Sequence, residues 1–188
     1  MNQKIEESIE RKRIKDTLEQ RFNLFIDQMI TRSLKTRPLG IVPNSHFAPV
    51  SAECYELYRD GYFYGAISLS QSVAEALVKF ICHVNNFKAG SDFDDNLEIL
   101  NKRGFISKDI HNLFSIVWEN RNDYHHLNLK IERDREKLDL MSNKKLSALK
   151  TIEADLFAVT FNNGKMIPKN IKYWDVKNGK VPVFLRID

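Results

Sequence analysis

Cysteine is almost absent from this 188-residue chain: Cys54 and Cys82 are the only two, and no CxxC spacing occurs. That excludes a disulfide-framed secreted module and a cysteine-ligated zinc site. Both sit among apolar, helix-forming neighbours, so they are expected as buried thiols of a reducing compartment. Seven glycines and five prolines are too few for a many-turned β-sandwich and favour long helices. Long hydrophobic runs are missing too. The longest uncharged apolar-leaning stretch, Gly61 to Ala74, is interrupted by Ser68, Ser70, Gln71 and Ser72 and is too short and polar to span a bilayer. The opening MNQKIEESIERKRIK is too charged for a signal peptide. The expectation is a cytoplasmic protein (or nuclear, if eukaryotic) with no membrane partner.

Neither sign of charge dominates. The formal net charge is +4, and the tail from Lys165 onward supplies all of it. There Lys165, Lys169, Lys172, Lys177, Lys180 and Arg186 face only Asp175 and Asp188. A basic tail can lie against phosphates, or simply be a solvated surface hairpin. Against these shortages, 43% hydrophobic and 11% aromatic residues support one well-buried domain. No internal repeat or low-complexity segment interrupts it.

The apolar spacing predicts helices over about 3–35, 50–60, 62–86, 92–104, 108–127 and 133–162. In the first, Leu18, Phe22, Phe25, Ile26, Met29, Ile30 and Leu34 recur at three- and four-residue intervals, behind two charge-rich turns prone to fraying. Segment 62–86 is the most apolar and reads as the central core helix, with Gly65, Ala66, Ala74 and Ala76 admitting a close neighbour. Asp92, Asp94 and Asp95 resemble a broken metal cluster, but a helix N-terminal cap accounts for them more simply. Ser107 is the expected cap of the 108–127 helix. Asn163-Gly164 is read as the close of the last helix. The β-branched segments 171–176 and 181–187, joined by Asn178-Gly179, predict a terminal hairpin with Pro182 confined to an edge. The predicted organisation is an amphipathic helical extension at 1–37, a helical domain at 38–164 and a basic hairpin tail at 165–188.

Chemistry concentrates in Trp118-Glu-Asn-Arg-Asn-Asp-Tyr-His-His-Leu-Asn128. So many polar side chains at the end of an apolar helix cannot all be core. The pattern is not a metal site: there is no HExxH and no nearby cysteine, and no metal or other cofactor is expected. On a helix, residues four apart are offset by about 40°, so Arg121 shares a face with His125, and Asn122 with His126. Arg121 and His126 are offset by roughly 140° on an ideal helix. A site using both must open between them, distort the last turn, or borrow from a second subunit. His46, His83 and His111 have no comparable surroundings and read as structural or surface residues.

Arg121-Asn122-x-x-x-His126, in this helical order, resembles the RX4–6H signature of the HEPN (higher eukaryotes and prokaryotes nucleotide-binding) domains. The likeness covers about residues 48–162 and leaves the first helix and the tail as additions. It implies an all-α, HEPN-like helical bundle, to which the apolar spacing and the tail pattern add a long N-terminal helix and a small C-terminal β-hairpin. It also implies a homodimer with facing motifs and metal-independent endoribonuclease activity on single-stranded RNA, with a toxin or antiviral effector as the expected role. Arg121, Asn122 and His126 are then the catalytic candidates, and Tyr124 and His125 the RNA-binding ones. An antitoxin or another protein is among the partners implied. One subgroup carries tyrosine two places after the histidine; Asn128 stands there, so tyrosine modification by a partner is not expected.

The residue types suit RNA cleavage. RNA supplies its own nucleophile, the 2′-hydroxyl, so the protein must move protons and stabilise charge. An imidazole does the first near neutral pH, and a guanidinium grips a phosphate bidentately. Asn122 would orient a phosphate oxygen or His126, and Tyr124 would offer a ring for base stacking. The alternative is a non-catalytic HEPN-like dimer that binds a nucleotide or a protein partner. A purely structural adaptor would leave the polar cluster unexplained.

Overall fold

The computed structural model describes residues 3–186. Its helices are α1 (Gln3–Thr36), α2 (Phe47–Arg59), α3 (Phe63–Val84), α4 (Phe93–Lys102), α5 (Lys108–Trp118), α6 (Arg121–His125) and α7 (Arg135–Leu156). Short strands β1 (Ile41–Pro43), β2 (Val159–Asn162), β3 (Lys165–Pro168) and β4 (Val183–Leu185) complete it. The mostly helical expectation therefore holds.

The core helix is α3. Ala66, Ile67, Ala74, Leu77 and Ile81 are fully buried along it, and α2, α4, α5 and α7 pack around it. By length and composition α3 could cross a membrane, but 61% of its apolar window is buried as the centre of the bundle. Gly65 earns its place there: a β-carbon would come within 3.2 Å of Leu57, so a larger residue would push α2 away. Phe47, Phe80, Phe157 and Trp174 interlock at one end, with ring centroids 5.3–6.4 Å apart. Cys54 and Cys82 are free thiols buried in this core.

Local signals set several helix ends as expected. Asp92 Oδ1 accepts from the Asp95 amide at 2.9 Å and Ser107 Oγ from Ile110 at 3.2 Å, and Asp134, which the sequence reading did not single out, caps α7 in the same way. Each satisfies an amide that the first helical turn leaves without a partner.

The tail departs from expectation. Asn178-Gly179 does turn, at φ 52° and 72°, but only a single Lys177–Lys180 bridge forms across it. Segment 171–176 contains a 3-10 turn (Ile171–Tyr173) instead of a strand. β4 instead pairs antiparallel with β1, setting Val42 opposite Phe184. The regular hairpin lies earlier, β2 with β3, around Asn163-Gly164 at φ 49° and 73°. That dipeptide was read as a helix stop. It is a two-residue hairpin turn, because β-branched and aromatic residues flank it on both sides.

The tail is not a detachable appendage. Tyr173 and Trp174 are buried. The Arg186 guanidinium enters the core, donating to Glu153 Oε1 and Oε2 at 2.7 Å each, to Ser51 Oγ at 2.7 Å and to the Leu39 carbonyl at 3.1 Å. On the far side, Arg32 of α1 donates to Asp139 Oδ2 at 3.0 Å, and Tyr58 to Asp139 Oδ1 at 2.8 Å, tying α1 and α2 to α7.

Candidate functional site

The helix expected over 108–127 is two helices. α5 stops at Trp118, Glu119 turns extended (φ −49°, ψ 132°) and Asn120 adopts the left-handed region (φ 59°, ψ 25°). α6 then restarts at Arg121. Two buried side chains hold this break. Lys145 Nζ donates to the carbonyls of Ile116, Val117 and Glu119 at 3.1, 2.8 and 2.7 Å. Gln71 Nε2 donates to the Glu119 carbonyl at 3.0 Å. Together they replace the amides that would have continued the helix.

The break decides where each candidate points. Arg121 Nη1 donates to Asn122 Oδ1 at 3.4 Å, and its guanidinium carbon lies 5.2 Å from the Trp118 ring centroid. Trp118 in turn stacks on Phe93, centroids 3.9 Å apart at 18°. Arg121 and Asn122 open onto a cleft of about 590 Å³ shared with Trp118 and Phe93. Five carboxylates also line it: Glu75, Asp92, Asp94, Glu119 and Asp123. Among the described residues that line it Arg121 is the only cation, while Lys79 and Lys144 pair with Glu75 and Glu119 at 2.6 and 3.3 Å.

The other three candidates diverge. His125 is half-buried one helical turn from Arg121, as the four-residue spacing requires, and its Nε2 is enclosed without a hydrogen-bond partner. Burial lowers its pKa; Arg121 and His126 push the same way, while the Ser68 backbone and Glu75 oppose them. His125 is thus biased toward the neutral imidazole. His126 caps α6, its amide donating to the Asn122 carbonyl at 3.2 Å, and its side chain is exposed. With Leu127 at φ 49° the last turn is distorted, one of the ways in which Arg121 and His126 can serve a single site. Tyr124 must be corrected. Only 4% exposed, it packs 6.4 Å from Tyr64 and donates to Met141 Sδ. It lies seven residues after Val117, on the continuation of the buried face of α5, so its ring is not open to a stacking base. Asn128 braces the turn instead, donating to Asp123 Oδ1 at 3.0 Å.

Sequence reasoning missed Lys145, Gln71 and the Phe93–Trp118 stack. Lys145 carried one readable signal: it lies seven residues after Leu138 and four before Leu149, on the inward stripe of α7. Among the described residues no His/Cys/Asp/Glu group has the arrangement of a metal site.

Burial lowers the Lys145 pKa from 10.5 to about 8, with Glu119 pulling it partly back. Below pH 8 the amine is charged in both folded and unfolded chains. Between pH 8 and 10.5 the unfolded chain binds the extra proton, so the contribution of Lys145 to stability rises with pH across that window. Lys145→Met removes the donor from three carbonyls and is expected to cost about 2–4 kcal/mol. In urea denaturation the gap between wild type and variant should widen from pH 8 toward 10.5. A gap that narrows over this range would contradict the buried ammonium.

No family model, curated protein or solved structure matches this chain. The likeness to HEPN domains therefore rests on the motif and the helix order described above.

Proposed function

We propose that the α5–α6 turn is the working site of a HEPN-type, metal-independent endoribonuclease acting on single-stranded RNA as a homodimer. The observation that carries this reading is the left-handed break at Asn120. Asn120 takes the left-handed region that asparagine tolerates, and the costly element of the break is the Lys145 ammonium buried beneath it. The break sets Arg121 and Asn122 side by side at a cleft and leaves His126 exposed on the same short helix. In the proposed mechanism Arg121 grips the scissile phosphate, Asn122 orients it, and His126 moves the proton of the attacking 2′-hydroxyl. Two chains with residues 118–128 facing one another would bring a second arginine to the phosphate and offset the acidic wall.

That wall favours a second reading, in which the cleft binds without cutting. Carboxylates accept hydrogen bonds from nucleobase amino groups or from a basic protein, and repel bare phosphate. One experiment separates the two. Purified chain is incubated with single-stranded RNA and with DNA of the same sequence, both in EDTA. The nuclease reading expects RNA cut to 2′,3′-cyclic phosphate ends and DNA left whole. Intact RNA, with nucleotide binding that Arg121→Ala abolishes, supports the binding reading instead.

A further inference from the structure

Away from the cleft, the basic tail meets the end of α4 and is pinned there. Asn85 Nδ2 donates to the Lys172 carbonyl at 2.8 Å, and the Tyr173 hydroxyl donates to the Phe105 carbonyl. Tyr173 and Trp174 are buried, so packing fixes where Lys172 stands. Its Nζ lies 5.8 Å from the Phe105 ring centroid and 4.9 Å from that of Tyr173. It also reaches the Gly104 carbonyl at 3.5 Å, one residue beyond Arg103. The Arg103 guanidinium carbon lies 4.6 Å from the Phe87 centroid, and Phe87 meets Phe105 edge to face at 4.8 Å. Two exposed cations thus stand on one aromatic pair.

Neither has a carboxylate partner among the described residues. Lys102 beside them does, pairing with Glu98 at 3.1 Å. A cation held against a ring keeps its N–H edge unspent, and holding it in advance spares the entropy of ordering a long side chain. The carbonyl end of a helix also attracts cations, but Lys102 in the last turn of α4 already meets that need.

We propose that Arg103 and Lys172 form a second phosphate contact for single-stranded RNA, gripping the strand beyond the cleft. The choice of RNA rests on the function proposed above; the phosphate contact rests on the two cations. The cleft supplies the need, because its carboxylates repel phosphate and affinity for the backbone must come from elsewhere. α4 links the two places. Asp92 and Phe93 at its start line the cleft, and Arg103 caps its other end, roughly 15 Å away. A few nucleotides of single strand span that distance. The outer face of α4 is closed to them by exposed Asp94 and Asp95. The loop from Phe87 to Ser91 is open, its only charge being Lys88. Asn96 holds this loop to α4, exchanging hydrogen bonds with Gly90 at 2.8 and 3.0 Å. An anionic membrane suits the patch less well. Phe87 and Phe105 are half-buried and Tyr173 is buried, which leaves no aromatic side chain to insert.

The test uses a fluorescently labelled 2′-O-methyl RNA of about twenty nucleotides, which has no free 2′-hydroxyl and stays whole. Anisotropy gives its affinity for wild type, Arg103→Ala/Lys172→Ala and Arg103→Lys/Lys172→Arg from 50 to 200 mM salt, circular dichroism confirming each fold. The wild type should bind less tightly as salt rises. The alanine pair should weaken binding about tenfold or more at low salt. It should also lower the slope of log affinity against log salt by about 1.4, the share of two phosphates on a single strand, and each single alanine variant by about half as much. The swapped pair keeps both charges and should keep the slope. A wild type that does not bind the probe at 50 mM salt would overturn the proposal. So would alanine variants that lose thermal stability but keep the wild-type affinity and slope, since the cations would then serve only the end of α4. Binding that follows these slopes in a protein that cuts no RNA would leave the contact standing and strike the nuclease reading alone.

Discussion

Arg121→Ala is expected to reduce RNA cleavage by about a hundredfold or more, since loss of one donor to a developing oxyanion commonly costs that much. The stability of the fold should change little. Arg121 makes one long hydrogen bond, to Asn122 at 3.4 Å, and rests against Trp118. Activity and stability should therefore separate cleanly, with cleavage collapsing while the unfolding free energy changes by less than about 1 kcal/mol. Arg121→Lys is the sharper control. A lysine keeps the charge but not the planar fork, so a bidentate phosphate contact predicts only partial recovery. Full recovery with lysine would mean that Arg121 supplies charge alone. If Arg121→Ala unfolds the chain in step with its activity, the residue is a structural prop on the Trp118–Phe93 stack.

The largest stability effect is expected at the opposite end of the molecule. Glu153 is fully buried, and both its oxygens accept from Arg186 at 2.7 Å. Glu153→Ala leaves the guanidinium enclosed with only Ser51 Oγ and the Leu39 carbonyl. An ion stranded in this way typically costs about 3–5 kcal/mol, far more than a surface ion pair. Urea denaturation of Glu153→Ala, Arg186→Met and the Glu153→Leu/Arg186→Met pair forms the check. Each single variant should be strongly destabilised, and the double variant should recover much of the loss because no charge is left buried. Additive losses would contradict the pair as the link between tail and core.

This ion pair shows where the sequence could be read and where it could not. Helices were legible because their signals are local. The four-residue spacing of Leu69, Val73, Leu77 and Ile81 marked α3, and Asp92 and Ser107 marked helix starts. The tail was misread because its partner is remote. Val183–Leu185 looks like half of a hairpin with 171–176, yet its strand partner, Ile41–Pro43, lies far back in the chain. Only tertiary packing selects that pairing. Asn163-Gly164 is a local signal too, but one that closes a helix as readily as it turns a hairpin.

The candidate site was legible in the same uneven way. The residue types of the 118–128 cluster located it, and four-residue spacing correctly put His125 on the Arg121 side. The break after Trp118 was hidden, because it is imposed by Lys145 and Gln71 from two other helices. Tyr124 carried a readable inward signal, its seven-residue spacing after the apolar Ile110 and Val117, and it packs against Met141 and Tyr64. The acidic wall was hidden as well, being assembled from α3, the start of α4 and the α5–α6 turn.

The choice between the two histidines bears directly on the mechanism. His125 is half-buried beside Arg121 and biased neutral, while His126 is exposed and has the spacing from Arg121 of the RX4–6H motif that the segment resembles. The central claim is that His126 moves the proton in a reaction needing no metal. The most direct measurement is the rate at which wild type, His125→Ala and His126→Ala cut one single-stranded RNA in EDTA. The account predicts that the wild type cuts, that His126→Ala loses about a hundredfold or more, and that His125→Ala loses clearly less. Cleavage that EDTA abolishes, or that survives in His126→Ala, would contradict it.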